Sequence, residues 1–209
     1  MNYADLKTAV RDTVEVDIPD AVLDTLTRQA EQLIYNTVQL PVLRENVTGS
    51  LTSGNKYLAM PGGMLFIYSL AVVSGSGDYT YLLNKDVNFI REAYPDGTDT
   101  GVPKHYAIFD EDTLILGPTP NSSYTAELHY AAYPTSIVTA GTTWLGSNFD
   151  SALLNGTLMQ ALRFIKGEEA DVKMYESLYG QAILLLKQLA DGKLRQDAYR
   201  SGQVRIKVG

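Results

Sequence analysis

Cysteine is absent from this 209-residue chain, which removes disulfide staples, thiolate metal sites and a cysteine nucleophile at one stroke. Histidine occurs only twice, too few for an all-imidazole zinc site. Long apolar runs are missing too, so no membrane-spanning helix and no membrane association is predicted. The opening "MNYADLKTAVRDTVEVD" has neither a basic start nor an apolar stretch, so no signal peptide is expected. Positive charge is scarce: 17 Lys and Arg stand against 24 Asp and Glu, a net −7 that argues against general affinity for phosphate backbones. What is present, 45% hydrophobic and 20% charged residues, reads as a soluble globular protein with a core of its own, one domain or one domain with a large insertion.

Hydrophobic periodicity divides the chain. Residues 2–13 carry Tyr3, Leu6, Ala9 and Val10 on one helical face. A second helix is expected from Asp17 as cap, with Pro19 in its first turn, to about Leu40, where Pro41 ends it. The grammar then changes to short segments rich in Val, Ile, Leu and Tyr between turn residues: "ENVTGSL", "NKYLAM", "MLFIYSLAVVS", "KHYAIFD", "TLILGP" and "YTAELHYAAY". One helix interrupts these strands, "NKDVNFIREAY", capped by Asn84 and stopped before Pro95. The helical period returns at Phe149 in a segment apolar almost all round, as for a helix packed on more than one side. Gly167 breaks it, and a second long helix follows with Glu168, Glu169 and Asp171 at its positive end, closed by Asp191 and Gly192. The expected fold is α+β: a helical bundle formed by the N- and C-terminal helices (1–43 and 136–192), an inserted antiparallel β-subdomain (44–135) and an extended C-terminal tail (193–209). From Asp191 onward five basic residues face two acids, +3, so the rest of the −7 chain carries −10. In that tail "QVRIKV" alternates as an edge strand would.

The stretch most suggestive of chemistry is "HYAIFDEDTLILGPTP", a histidine ahead of Asp110, Glu111 and Asp112. If Phe109 pairs with Thr113 across a tight turn, the acids occupy the turn and His105 lies opposite Gly117. Asp favours such turns through its own backbone hydrogen bonds, so a turn is the better account than a Ca²⁺ contact, whose EF-hand spacing is not met. A second hairpin through "GPTPNSSY" would set Leu116 near Thr125 and His129 opposite Asp112 as a surface ion pair, leaving the two histidines roughly 20 Å apart at about 3.3 Å per residue. "VVSGSGDY" holds a G-x-G but neither the third glycine nor a following Lys, and reads as a hairpin loop rather than a phosphate cradle. No G-x-S-x-G elbow occurs, and no pair of acids is marked out for glycoside hydrolysis. The fourteen tyrosines, among them Tyr106, Tyr124 and Tyr130, suit sheet packing and subunit interfaces as well as ligand stacking.

An ordered series of residues resembles the head-to-tail adaptor proteins of tailed phages, the portal adaptor and tail tubular protein A type. Pro103 and Tyr106 are followed by Leu114, Leu116, Pro118 and Pro120, then by Leu128, Tyr130 and Pro134. Trp144 and Leu145 come next, then Asp150 opening an apolar helix with Leu153, Leu154 and Gly156, and finally Glu168, Glu169, Tyr175 and Tyr179. The resemblance implies a structural virion protein and not an enzyme, with no catalytic residue, cofactor or metal. It implies a ring of twelve copies at the head-tail interface, soluble in the host cytoplasm before assembly. The ring would dock on the portal protein, meet a tail or nozzle protein below and let double-stranded DNA pass without sequence recognition. On this reading the basic tail, Lys193, Arg195, Arg200, Val204, Arg205, Ile206 and Lys207, is the portal-docking element, and "QVRIKV" adds a strand to a partner's sheet. Two other functions remain in view. One is a tail accessory carbohydrate- or ligand-binding β-module, which would show a concave patch of exposed Tyr with Trp144. The other is a hydrolase with a spatially assembled acid pair.

Overall fold

The computed structural model describes the backbone of residues 1–201 and the side chains of residues 1–191. In chain order its elements are α1 (Tyr3–Val14), α2 (Asp20–Thr37), β1 (Arg44–Ser50), β2 (Tyr57–Ala59), β3 (Met64–Val73), β4 (Tyr79–Tyr81), β5 (Leu83–Asn84) and α3 (Val87–Ala93). They continue as β6 (Thr100–Gly101), β7 (His105–Ile108), β8 (Thr113–Gly117), β9 (Thr119–Pro120), β10 (Thr125–Ala132), α4 (Ile137–Ala140), α5 (Trp144–Asn148), α6 (Asp150–Ile165) and α7 (Glu169–Ser201). Two compact units result, Met1–Leu43 together with the chain from Pro134 onward, and Arg44–Tyr133.

In the helical unit α1 opens on a capping box: the Asn2 side chain accepts from the Asp5 N–H at 2.9 Å while the Asp5 carboxylate takes the Asn2 N–H. Its stripe Leu6, Val10 and Val14 is buried at helical spacing, each side chain contributing about 1.5–3 kcal/mol. The second helix starts at Asp20 and not at Asp17, because the turn is held by a guanidinium rather than a side-chain cap. Arg11 donates to the Ile18 carbonyl at 2.6 Å and to Asp20 at 2.7 Å, while Asp17 projects into solvent with Arg11 3.5 Å away. Hydrogen bonds from Arg11 and then Lys7 hold the Asp20 carboxyl below its ordinary range. The helix ends at Thr37, short of the expected Leu40, and Val38, Leu40 and Leu43 enter the core through a loop and a 3₁₀ turn at Pro41–Leu43.

Helix α6 touches α1, α2 and α7, which is why it is apolar on several sides. Gly156 is the close point: a Cβ there would stand 3.2 Å from the Tyr179 ring of α7 and 3.4 Å from Ala30 of α2. The left-handed residue that ends α6 is Lys166, at φ 55°, one position before the expected Gly167, whose N–H returns to the Leu162 carbonyl at 2.8 Å. Helix α7 does not stop at Gly192 but runs to Ser201, so the expected extended tail is helical over its first part. An interior glycine costs only about 1 kcal/mol relative to alanine, and the following "KLRQ" consists of good helix formers. The expected strand at residues 203–208 lies outside the described residues.

The β unit is a two-sheet sandwich. The first sheet, β1-β10-β3-β4, is antiparallel throughout; the second, β2-β8-β7-β5, is antiparallel except for β5 on β7. A short parallel pair, β6 with β9, stands apart, so the unit is not purely antiparallel as expected. Leu70, Val72, Ala126 and Leu128 of the first sheet share a core with Tyr106, Leu114 and Leu116 of the second. The other face of the second sheet is covered by α3, whose Ile90 packs on Ala107 and Ile115. Its cap is Asp86, accepting from Asn88 N–H at 2.8 Å, because the expected cap Asn84 is committed to strand pairing with Tyr106.

Glu31 is a buried acid at a helix start: 3% exposed on α2, its carboxylate accepts from the Ile137 N–H of α4 at 2.9 Å and from the Ser136 hydroxyl. Burial raises its carboxyl above the ordinary range, outweighing these hydrogen bonds. The Glu31→Ala variant is expected to lose about 1–3 kcal/mol in urea unfolding by stranding the Ile137 N–H. A carboxyl whose folded pKa exceeds its unfolded value binds its proton preferentially in the native state, so acid stabilises it. The advantage of the wild type over Glu31→Gln is therefore expected to widen in melts taken from pH 7 down toward the ordinary value of about 4.3. A gap independent of pH would contradict this.

Candidate assembly surfaces

The stretch around His105 is a hairpin in the register the sequence predicts. His105 faces Gly117, Phe109 N–H donates to Thr113 O at 2.9 Å, and the exposed acids form the turn, with the Asp110 carboxylate accepting from Asp112 N–H at 3.0 Å. His105 Nδ1 lies 2.8 Å from the Tyr94 hydroxyl, and burial, with Lys85 and Lys104 adding to it, lowers its pKa. "VVSGSGDY" is likewise a hairpin loop, closed by Ser74 N–H on Asp78 O at 3.0 Å with Gly77 at φ 88°.

The expected second hairpin does not form. Strand β8 has β2 and β7 as neighbours, whereas β10 crosses to the other sheet between β1 and β3. Pro118 and Pro120 lack the N–H groups that a continued ladder would need, and β9 instead turns to β6. His129 consequently lies opposite Asn46 and Ser69, with its ring 4.9 Å from that of Tyr68, and makes no pair with Asp112.

The family-pattern residues are divided between the two units. Pro103, Tyr106 and Pro120 are buried in the β unit, Pro118 and Tyr130 partly so, and the Gly117-Pro118 peptide is cis. Gly117 itself must lack a side chain, since a Cβ would collide with the Tyr94 ring. Trp144 and Asp150 belong to the helical unit, Trp144 packed against its core and lining a pocket of about 310 Å³ with Leu40, Pro41 and Val42, Asp150 exposed as the first residue of α6. The docking residues Lys193, Arg195 and Arg200 lie in α7 beyond the described side chains, and Val204, Arg205, Ile206 and Lys207 lie outside the described residues.

Among the described residues three surfaces are apolar and open. On α7, Met174, Leu178, Leu185 and Leu189 form one stripe, 39% to 58% exposed, beside the face that Ala182, Ile183, Leu186 and Ala190 bury. On the first sheet, the face away from the sandwich core carries Tyr68 beside His129, Phe66 against Tyr68, and Tyr79 stacked on Tyr81 at 6.3 Å. Along one side of the sandwich a groove of about 210 Å³ runs between β1 and β2, lined by Val47, Leu58, Met60, Ala126 and Leu128 among others. Sequence reasoning missed all three, though Met174, Leu178, Leu185 and Leu189 at intervals of four and seven were a usable signal. Among the described residues no cluster of three or more His, Asp or Glu could hold a metal ion, and no helix is long and apolar enough to cross a membrane.

Comparison with known proteins gives one family. The model of the SU10 adaptor protein family matches residues 1–206. No curated protein matches the chain. Among solved structures, a chain in the neck of an empty GTA particle computed with C6 symmetry is 12% identical over 80% of this chain and 87% of its own length, at a TM-score of 0.27.

Substituting Gly117 with Ala forces the Tyr94 ring aside and is expected to cost about 1–3 kcal/mol in denaturant unfolding, with the near-ultraviolet tyrosine signal altered. A variant of wild-type stability would contradict the close packing at this position.

Proposed function

The chain belongs to the SU10 adaptor protein family, and from that premise we propose that it is a head-to-tail adaptor, a structural virion subunit that assembles as a ring between portal and tail. The match over residues 1–206 carries the reading. The α7 stripe supports it, because it extends the buried face of the helix with apolar side chains left open, as a subunit interface requires. A ring needs two different faces of each subunit to meet, and the molecule offers the stripe and the sheet surfaces as separate patches. An excess of acid in the body, against +3 from Asp191 onward, supplies complementary charge for a neighbour and keeps passing DNA from adhering. The basic side chains Lys193, Arg195 and Arg200 are assigned to the portal, whose contact then weakens with salt. The downstream contact is with a tail or nozzle protein, and the ring holds twelve copies.

A second reading, a ligand-binding β-module, draws on the stacked aromatics of the open sheet face, although Trp144 is not among them. Retention on a glycan array, lost in Tyr79→Ala with Tyr81→Ala, would favour it over the adaptor.

Mixed with the cognate portal protein and imaged by electron microscopy, the purified protein is expected to form twelve-fold rings on the portal; a protein that stays monomeric there contradicts the adaptor. Leu178→Glu with Leu185→Glu, on the exposed stripe, is expected to leave monomer stability within about 0.5 kcal/mol per substitution yet abolish rings. Rings that persist in this variant would remove α7 from the interface.

A further inference from the structure

The groove between β1 and β2 is an opening in the sandwich core rather than a surface dimple. Residues directly opposite on an antiparallel pair point to the same face. Val47 of β1 is opposite Leu128 and Gly49 is opposite Ala126, both members of the shared core. Val47 therefore faces inward, yet it is 39% exposed, because nothing among the described residues stands over it. Across the opening Leu58, paired with the fully buried Leu114, is also only partly covered. At about 210 Å³ the groove is far larger than a single water needs, and its lining is mostly apolar.

The strands on either side are both edges. Strand β1 ends the first sheet and β2 ends the second, so each offers unpaired backbone donors and acceptors to the same opening. Natural edge strands are usually kept short, or blunted by lysine, proline or a bulge. Here β2 is short, but β1 pairs with β10 over seven successive residues without a register shift and contains neither lysine nor proline. It is a regular template with an apolar floor beside it, and a strand that fits it needs branched aliphatic residues at alternate positions on one face.

The chain itself contains a sequence with this pattern. In "QVRIKV", residues 203–208, Val204, Ile206 and Val208 alternate with Gln203, Arg205 and Lys207. All three apolar positions are β-branched, the type that fits a pleated and half-buried surface. Six residues span about 20 Å at about 3.3 Å each, close to the roughly 23 Å of the seven-residue β1. The segment lies beyond the end of α7 at Ser201, and its Arg205 and Lys207 suit a body that carries −10.

Resting on the ring reading above, we infer that residues 203–208 of a second copy of this chain form an additional strand along β1, with Val204, Ile206 and Val208 closing the groove over Val47, Leu58 and Leu128. Each subunit then completes its neighbour's sandwich, a head-to-tail contact that repeats around a ring and uses different surfaces of each copy. The strand contact is thereby placed between copies, leaving Lys193, Arg195 and Arg200 to the portal.

The chain lacks cysteine, so the contact can be trapped without background. One population carries Val47→Cys, and another carries Val204→Cys, Ile206→Cys or Val208→Cys in turn to scan register. The two are mixed with the portal protein and oxidised. A disulfide-linked heterodimer of roughly twice the 22.9 kDa chain mass is expected for one of the three pairings. It should be absent when Val47→Cys is replaced by Asn46→Cys, which faces away from the core opposite His129. If only chains carrying both substitutions cross-link, and do so internally, the segment closes its own groove and the second copy is excluded. If rings form on the portal but no pairing cross-links, the groove proposal falls while the adaptor reading stands. If neither rings nor cross-links form, both fall.

Discussion

The pairing of β1 with β10 is the constraint around which the molecule is arranged. A ninety-residue β unit, Arg44–Tyr133, interrupts the helical unit between α2 and α4. Such an insertion is tolerable only if the chain leaves and returns at neighbouring points. Antiparallel pairing of the first inserted strand with the last, Arg44 opposite Ala131, provides this with backbone hydrogen bonds rather than with a long loop. Helices from both ends of the sequence can then bury one core, with α6 central and Gly156 admitting Ala30 and Tyr179.

The same pairing fixes where the β unit is incomplete. Because β10 lies between β1 and β3, the strand that enters the sandwich is also the edge of its sheet. The second sheet ends on the same side in a three-residue strand, too short to roof the core that Val47 and Leu58 line. On the other face of that sheet α3 supplies the cover through Ile90. Exposed apolar surface on α7, on the outer sheet face and in the groove is costly for a solitary chain and useful for a subunit. That balance is the one expected of a chain that is covered by others of its kind.

Local chemistry was legible in the sequence where it is decided locally. The turn at Asp110 to Asp112 and the facing of His105 and Gly117 follow from turn propensity and strand period, and the helical segments follow from apolar spacing. Legibility ended where tertiary competition decides. Strand β8 could pair with β10 by a hairpin, but Pro118 and Pro120 divert the chain, and β2, some fifty residues upstream, takes the place beside β8. Gly192 resembles a helix stop, yet its neighbours carry α7 past it. Helices α4 and α5, of four and five residues, are too short to show a period and are held by Ser136, Thr143 and the distant Glu31. The phage resemblance was carried by packing residues such as Tyr106, Leu114 and Leu116, all now found in the sandwich core, whereas the acids that suggested chemistry form an exposed turn and His105 meets the Tyr94 hydroxyl.

The central claim is that this adaptor subunit is finished only by its neighbour, at β1. Amide hydrogen exchange across Arg44–Ser50, measured on the free protein and on portal-bound rings, addresses it directly. In the free chain the amides of β1 that point away from β10 should exchange rapidly, and in the ring they should become protected together with those facing β10. Rings in which these amides exchange as fast as in the free protein would contradict the account.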